Sequence, residues 1–420
     1  MTARLHLPRH RATTAQVCSI YPFAAGGGMA PVGVYLGTDV LAGGSAFCFD
    51  PFRAYGAGLV TNPNMVILGE PGVGKSATVK ALVHRLAGVL GRWVAIADPK
   101  GEYAPLAESL GLSVVRLVPG GSQRLNPLDP GPAGGADGPE ELARRQGAMV
   151  AALLGSVLGR DLSALEDATV GWALAHLARR RRTATLADLA ATLADPPAEV
   201  ARRARLEPAE LARAVEAASF ALGKLLERSL RGMFDGATNV RLDSEGPGVV
   251  VDLSGVHGDP EALRLVMVAT TAWLQGVLAR PGGPRRLLVL DEAWSLLASE
   301  RTARFLQASV KLARSYGVAN IAVIHRLSDL RAQADDGTAT AKVASGLLAD
   351  SATRVIFRQS SDQADDARRL LGLTGPEATL VARLGRGRAL WKVGSHTAAV
   401  AHRLGTTDRE ICDTDGAMAG

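Results

Sequence analysis

Residues 69 to 76, "GEPGVGKS", have the types and spacing to hold a chain of phosphates. In the pattern G-x-x-x-x-G-K-[ST], Gly69 and Gly74 let backbone amides curl around phosphate oxygens, Lys75 reaches the outer phosphates, and the Ser76 hydroxyl can ligand Mg²⁺. Apolar "NMVILG" runs into this stretch and "KSATVKALVHRLAGVL" leaves it with the composition of a helix, whose N-terminal amides add positive potential. The intervening Glu70, Pro71, Gly72 and Val73, with Ala77 after Ser76, complete the expected nucleotide contact. A loop of this kind reads phosphates and not bases, so ATP and GTP both stay open.

The second chemical stretch is "LLVLDEAWSLL", residues 287 to 297. Its aliphatic start suits a buried strand, but an Asp-Glu pair at the end is costly to bury without partners. In P-loop enzymes a second strand ends in an Asp that helps hold Mg²⁺, and a following Glu can orient and deprotonate the attacking water. Asp291 and Glu292 fit those two roles, Asp291 with Ser76 on the metal and Glu292 as base. A capping pair at a helix start would also account for "DEAWSLL", with Trp294 as packing. Asp252, at the end of "VVVDLS", is a rival to Asp291 that lacks the adjacent Glu.

The elements that must position these groups can be read from the pattern. With 420 residues the chain has ample length for a buried core and for two or three domains of roughly 150 residues. Hydrophobic residues at 47% and charged residues at 21% fit a soluble globular chain better than a disordered one. A net charge of +6 permits contact with nucleic acid or anionic lipid without demanding it. Cys18, Cys48 and Cys412 show no metal or disulfide spacing, which fits a reducing compartment. No apolar run is long enough to span a bilayer and no signal peptide is evident, so the expected location is the cytoplasm, with room for peripheral docking on the inner face of the membrane.

Residues 1–60 read as a Gly-rich β leader with two strands turning at Gly43 and Gly44. Strand-helix alternation over 61–138 and again over 236–405 predicts an α/β core with a mostly parallel sheet. Between them, 139–235 carries apolar residues at helical spacing and no convincing strand, an all-helical insertion that accounts for the long interval between Ser76 and Asp291. The tail, 406–420, is expected to fray. The run Arg179 to Arg182 reads as a solvated helix end before it reads as a phosphate grip.

Four stretches in this order resemble one family: "TNPNMVILGEPGVGKSATVKAL", "DPKGEY" at 98–103, "RLNPLDP" before the helical insertion, and "LLVLDEAWSLL". They are similar to the conjugative-transfer and type IV secretion ATPases of the TraC and VirB type, within the HerA/FtsK superfamily of hexameric motors. The resemblance implies a RecA-like core and a homo-hexameric ring that hydrolyses ATP with Mg²⁺ to drive transfer through a cell-envelope channel. Its partners would be secretion-channel or conjugation proteins at the membrane. A DNA-pumping translocase of the HerA/FtsK kind is the alternative, with nucleic acid as partner. An ATP-switched scaffold is a second alternative, against which the intact Glu292 argues. The resemblance also implies that Asp98, Lys100 and Glu102 lie beside the nucleotide. Where such motors usually carry a Gln after the strand that follows the acidic pair, this chain offers His325. Arg354 and Arg358, flanking the late strand "TRVIFRQ", are the candidates for a cation supplied across the subunit boundary.

Overall fold

The computed structural model describes residues 28–131, 138–180, 183–243, 246–279, 282–297, 299–313, 316–324, 346–359, 368 and 370–412. The strands are β1 (Val34–Asp39), β2 (Ser45–Phe49), β3 (Met65–Leu68), β4 (Trp93–Asp98), β5 (Ser113–Arg116), β6 (Gly248–Asp252), β7 (Arg286–Leu290), β8 (Val318–Ile324), β9 (Thr353–Ile356), β10 (Arg388–Val393) and β11 (His396–His402). They form one sheet in the order β2-β1-β11-β10-β9-β3-β8-β7-β4-β6-β5. From β9 to β5 every pairing is parallel, and β10, β11, β1 and β2 continue the sheet antiparallel. The two leader strands, β1 and β2, thus extend the main sheet. Strand β1 pairs with β11, which brings the two ends of the described chain together.

The central strands are buried on both faces, so they read as continuous aliphatic runs and not as alternation. Side chains still alternate between two cores. Met65 and Ile67 of β3 face a cluster containing Val79, Leu82, Val83 and Leu86 of helix α1 (Lys75–Leu90), whereas Val66 and Leu68 face the larger one. That larger cluster takes in the helices between β5 and β6, from Pro139–Leu158 to Glu216–Glu227, and helix α2 (Pro260–Leu278), which is buried from Ala262 onward except at Arg264. Fully burying each Leu or Val there contributes on the order of 1.5–3 kcal/mol relative to leaving it exposed.

The frayed tail is corrected in part: Thr406–Cys412 form a helix, α3, against α1. Ile411 enters the smaller core, and the buried Asp408 accepts from the Arg85 guanidinium, from Gly405 N at 2.8 Å and pairs with His84 at 3.3 Å. An apolar anchor and a neutralised carboxylate outweigh the fraying expected of a terminal segment. Among the described residues no helix is long and apolar enough to cross a membrane.

Candidate functional site

β3 ends at Leu68, and the chain turns through Gly69 to Gly74 before α1 begins at Lys75. Three glycines of this turn are required by geometry, Gly72 among them at φ 76. Gly74, the N-cap, has φ 104, and at Gly69 an added Cβ would lie 2.5 Å from Cβ of Phe357. The loop is fastened on both sides: Glu70 N donates to Arg358 O at 3.2 Å, and Gly387 N donates to Val73 O at 2.9 Å. Lys75 is buried, and its Nζ donates to the carbonyls of Gly69 at 2.6 Å and Glu70 at 2.7 Å. The ammonium is therefore held over the loop it is expected to serve.

Only β8 separates β3 from β7. Asp291 and Glu292 leave the carboxyl end of β7, at the same edge as the phosphate loop and both almost fully buried. Asp291 Oδ1 accepts from Glu292 N at 2.9 Å, and Oδ2 accepts from the Tyr103 hydroxyl at 3.1 Å. Burial, then the neighbouring Glu292 charge, push the Asp291 carboxyl up, against the pull of the Glu292 amide, Lys100 and Tyr103. Glu292 has φ 53, a left-handed conformation that costs a residue with a side chain about 1–2 kcal/mol. One of its oxygens pairs with Lys100 Nζ and the other accepts from the Trp294 indole N–H.

The loop after β4 supplies Lys100 and Tyr103, and Asp98 builds that loop. Its Oδ1 accepts from the amides of Lys100 (3.2 Å), Gly101 (2.9 Å) and Glu102 (3.2 Å), and its Oδ2 from Tyr103 N at 2.9 Å. Burial nevertheless pushes the Asp98 carboxyl up to about 6, the amide bonds offsetting only part of that effect. Burial works against the Lys100 charge too, but the hydrogen bond and charge of Glu292 outweigh it and hold its pKa above the usual value. Burial first, with the Asp291 charge, raises Tyr103 well above an ordinary phenol, so it stays a neutral donor. Lys80 of α1 is also buried, its Nζ 5.5 Å from the Tyr103 ring centroid and its pKa lowered by burial. Lys80, Tyr103 and Asp291 thus link the phosphate-loop helix to the acidic strand end.

The structure brings together Lys75, Ser76, Asp291, Glu292, Asp98 and Lys100 at one sheet edge, with the Asp98 carboxylate turned into its own loop. Arg358 joins them through Nε to Glu70 Oε2 at 3.2 Å. Arg354 does not. It pairs in register with Val66, and its guanidinium caps the carbonyls of Leu348 (3.3 Å) and Leu371 (2.9 Å). Burial lowers the Arg354 pKa. His325 lies outside the described residues, as do Arg181 and Arg182, while Arg179 pairs with Glu199. Tyr103 and Trp294 are the polar contacts that sequence reasoning missed. Tyr103 stood in the quoted "DPKGEY", and Trp294, read as packing, donates to the carboxylate two residues before it.

Hard-oxygen chemistry suits Mg²⁺ here: a Ser76 hydroxyl on the first turn of α1 and a buried carboxylate at Asp291 whose ionisation a dication would favour. A glycine-turned phosphate loop feeding a helix, in a parallel sheet with an acidic strand end one strand away, defines a P-loop NTPase of RecA-like build. The chain belongs to the family described as the central domain of helicase HerA, whose model matches residues 60–270. Its fold is similar to that of VirB4 of Thermoanaerobacter pseudethanolicus, with a TM-score of 0.70 at 21% identity over 91% of this chain and 99% of that one. It is also similar to the bacterial conjugative coupling protein TrwB, with a TM-score of 0.56 at 16% identity over 80% of this chain and 83% of that one. TrwB in complex with the non-hydrolysable GTP analogue GDPNP matches at a TM-score of 0.55, 16% identity, 82% of this chain and 86% of that one. No curated protein sequence matches the chain.

Proposed function

We propose that the chain is an Mg²⁺-dependent ATPase that works as a homo-hexameric ring and powers conjugative transfer or type IV secretion, docked on channel or conjugation proteins at the inner face of the membrane. The observation that carries it is the placement of Asp291 and Glu292 one strand from the Lys75 loop. The likeness in fold to VirB4 over nearly the whole of both chains supports the process assigned.

In this reading the loop amides and Lys75 orient the triphosphate, the outer phosphates replacing the Gly69 and Glu70 carbonyls on Nζ. Ser76 and Asp291 would hold Mg²⁺, which would supply positive charge to offset the negative charge developing on the phosphates. Glu292 orients a water toward the terminal phosphorus and takes its proton as the bond to the bridging oxygen breaks, giving ADP and phosphate. Arg358, half exposed at the loop, is the better candidate for the cation given to a neighbouring subunit, because Arg354 is committed to two carbonyls. His325, outside the described residues, remains the candidate γ-phosphate donor of this reading.

The family match, a helicase central domain, favours a DNA pump as a second reading. Steady-state turnover of the purified protein with and without single- and double-stranded DNA separates the two, with Lys75→Ala as the contamination control. Lys75-dependent turnover indifferent to DNA supports the secretion motor. Stimulation that falls steeply with salt supports the pump, since phosphate contacts are lost as salt rises. Turnover that survives Lys75→Ala sinks both.

A further inference from the structure

Glu292 is held at more points than a solvated base needs. Its backbone sits at φ 53, its side chain is almost fully buried, Lys100 Nζ pairs with Oε1, and the Trp294 indole donates to Oε2. A left-handed backbone at a residue with a side chain persists only where the surroundings over-determine it, and these two tethers are surroundings of that kind. They differ in origin. Trp294 lies two residues along the same chain, at the start of a short helix (Trp294–Leu297), and moves with Glu292. Lys100 arrives from another strand, on a loop that Asp98 folds through four backbone amides. Asp291 and Glu292 are adjacent carboxylates that repel, and the Lys100 ammonium is a cation paired directly with Glu292.

We propose that Lys100 and Trp294 are positioning residues for Glu292, fixing the direction in which its carboxylate meets the attacking water. The inference rests on the reading of Glu292 as the base. Lys100 acts from outside β7, so the orientation of the base depends on the β4 loop that also carries Tyr103 to Asp291. The loop thereby sets the aim of both carboxylates at once, and Asp98 acts one step further back as the group that shapes it.

The test is a kinetic cycle on the full chain. Lys100→Met keeps the stem of a side chain that is 30% exposed and removes its charge, so it should fold, as its melting temperature would show. Expected is a fall of about 10- to 100-fold in kcat, with KM for ATP and the affinity for a non-hydrolysable analogue changed less than about threefold, because orientation and not ground-state binding is lost. Lys100→Arg should recover part of that loss, and Trp294→Phe should lower kcat by a smaller factor. In a Glu292→Gln background, Lys100→Met should cost nothing further, since residues acting through one group are not additive. A folded Lys100→Met protein with kcat within about twofold of the parent overturns the proposal, as does a Lys100→Met loss that multiplies fully with that of Glu292→Gln. Should Lys100→Met not fold, a folded Lys100→Gln protein with parental kcat would overturn it equally. If Glu292→Gln alone turns over at the parental rate, it is the base assignment that fails, a result distinct from every Lys100 outcome.

Discussion

Asp252 and Asp291 look alike in sequence, each closing a run of aliphatic residues at the carboxyl end of a parallel strand, yet they sit in opposite electrostatic states. Asp252, at the end of β6, accepts from Ser254 N at 2.9 Å and from Arg116 Nε at 3.0 Å. Burial raises its pKa, but the Ser254 hydrogen bonds and Arg116 prevail, and its carboxyl is held below the usual range. Asp291, at the end of β7, has a phenol and one amide as donors, an adjacent carboxylate and deeper burial, and its carboxyl is pushed up. A strand-end Asp that its own surroundings satisfy is a structural group. One left short of positive charge is a place where the protein tolerates a cost for the sake of a ligand.

The largest expected effect follows directly. Asp291→Asn should lower Mg²⁺-dependent turnover by at least about 100-fold while leaving stability equal or higher, because it removes a buried charge and keeps an acceptor for Glu292 N. Turnover assays beside urea midpoints check this, and an Asp291→Asn protein that is both active and destabilised would reverse the comparison. Asp252→Asn should do the opposite. Turnover stays within about threefold, and roughly 1–2 kcal/mol of stability is lost with the charge-assisted bonds.

The contrast also shows what the sequence could and could not reveal. That Lys75, Ser76, Asp291 and Glu292 would meet at one sheet edge was legible because each motif sets its residue types at a fixed offset from a strand end. The parallel sheet was legible from aliphatic runs alternating with helical spacing. The role of Asp98 was not, because a carboxylate beside a nucleotide and one folded onto its own loop amides share one sequence. Trp294 was read as packing because an indole ring is mostly apolar, and only coordinates show its N–H on Glu292. Arg354 lies within β9 and Arg358 two residues beyond its end, which places them at different levels: one caps the carbonyls of Leu348 and Leu371, the other reaches Glu70. Thr406–Cys412 was expected to fray because nothing local marks it, and its partners Arg85 and His84 lie more than 300 positions away.

Tyr103 sharpens the comparison from the side of the favoured site. Its hydroxyl is the side-chain donor to Asp291, so Tyr103→Phe should leave that oxygen short of a hydrogen bond worth about 1 kcal/mol. The expected outcome is a decrease in turnover of about 3- to 10-fold, most visible at limiting Mg²⁺. A Mg²⁺ titration of turnover decides it. No change at any Mg²⁺ concentration would mean that the phenol only fills space between Lys80 and β7.

The smallest effect is the one that reads the two carboxylates most directly, the pH dependence of stability in metal-free buffer. Asp252 has a folded pKa below its unfolded value, so its contribution is fully present above the unfolded pKa of about 3.9 and is lost as pH falls through the folded one. Asp291 has a folded pKa above its unfolded value. The folded state holds that proton more tightly, so ionisation begins to cost stability as pH rises past about 3.9, and the cost grows until the raised folded pKa is passed. The two variants should therefore diverge from the parent in opposite senses. The deficit of Asp252→Asn should shrink below about pH 4 and be constant above about pH 5, whereas any advantage of Asp291→Asn should widen as pH climbs from about 4. Melting temperatures of the three proteins between these limits would show the divergence. Parallel curves would mean that both carboxylates are equally compensated, and that the distinction between a satisfied and an under-compensated strand end does not govern this fold.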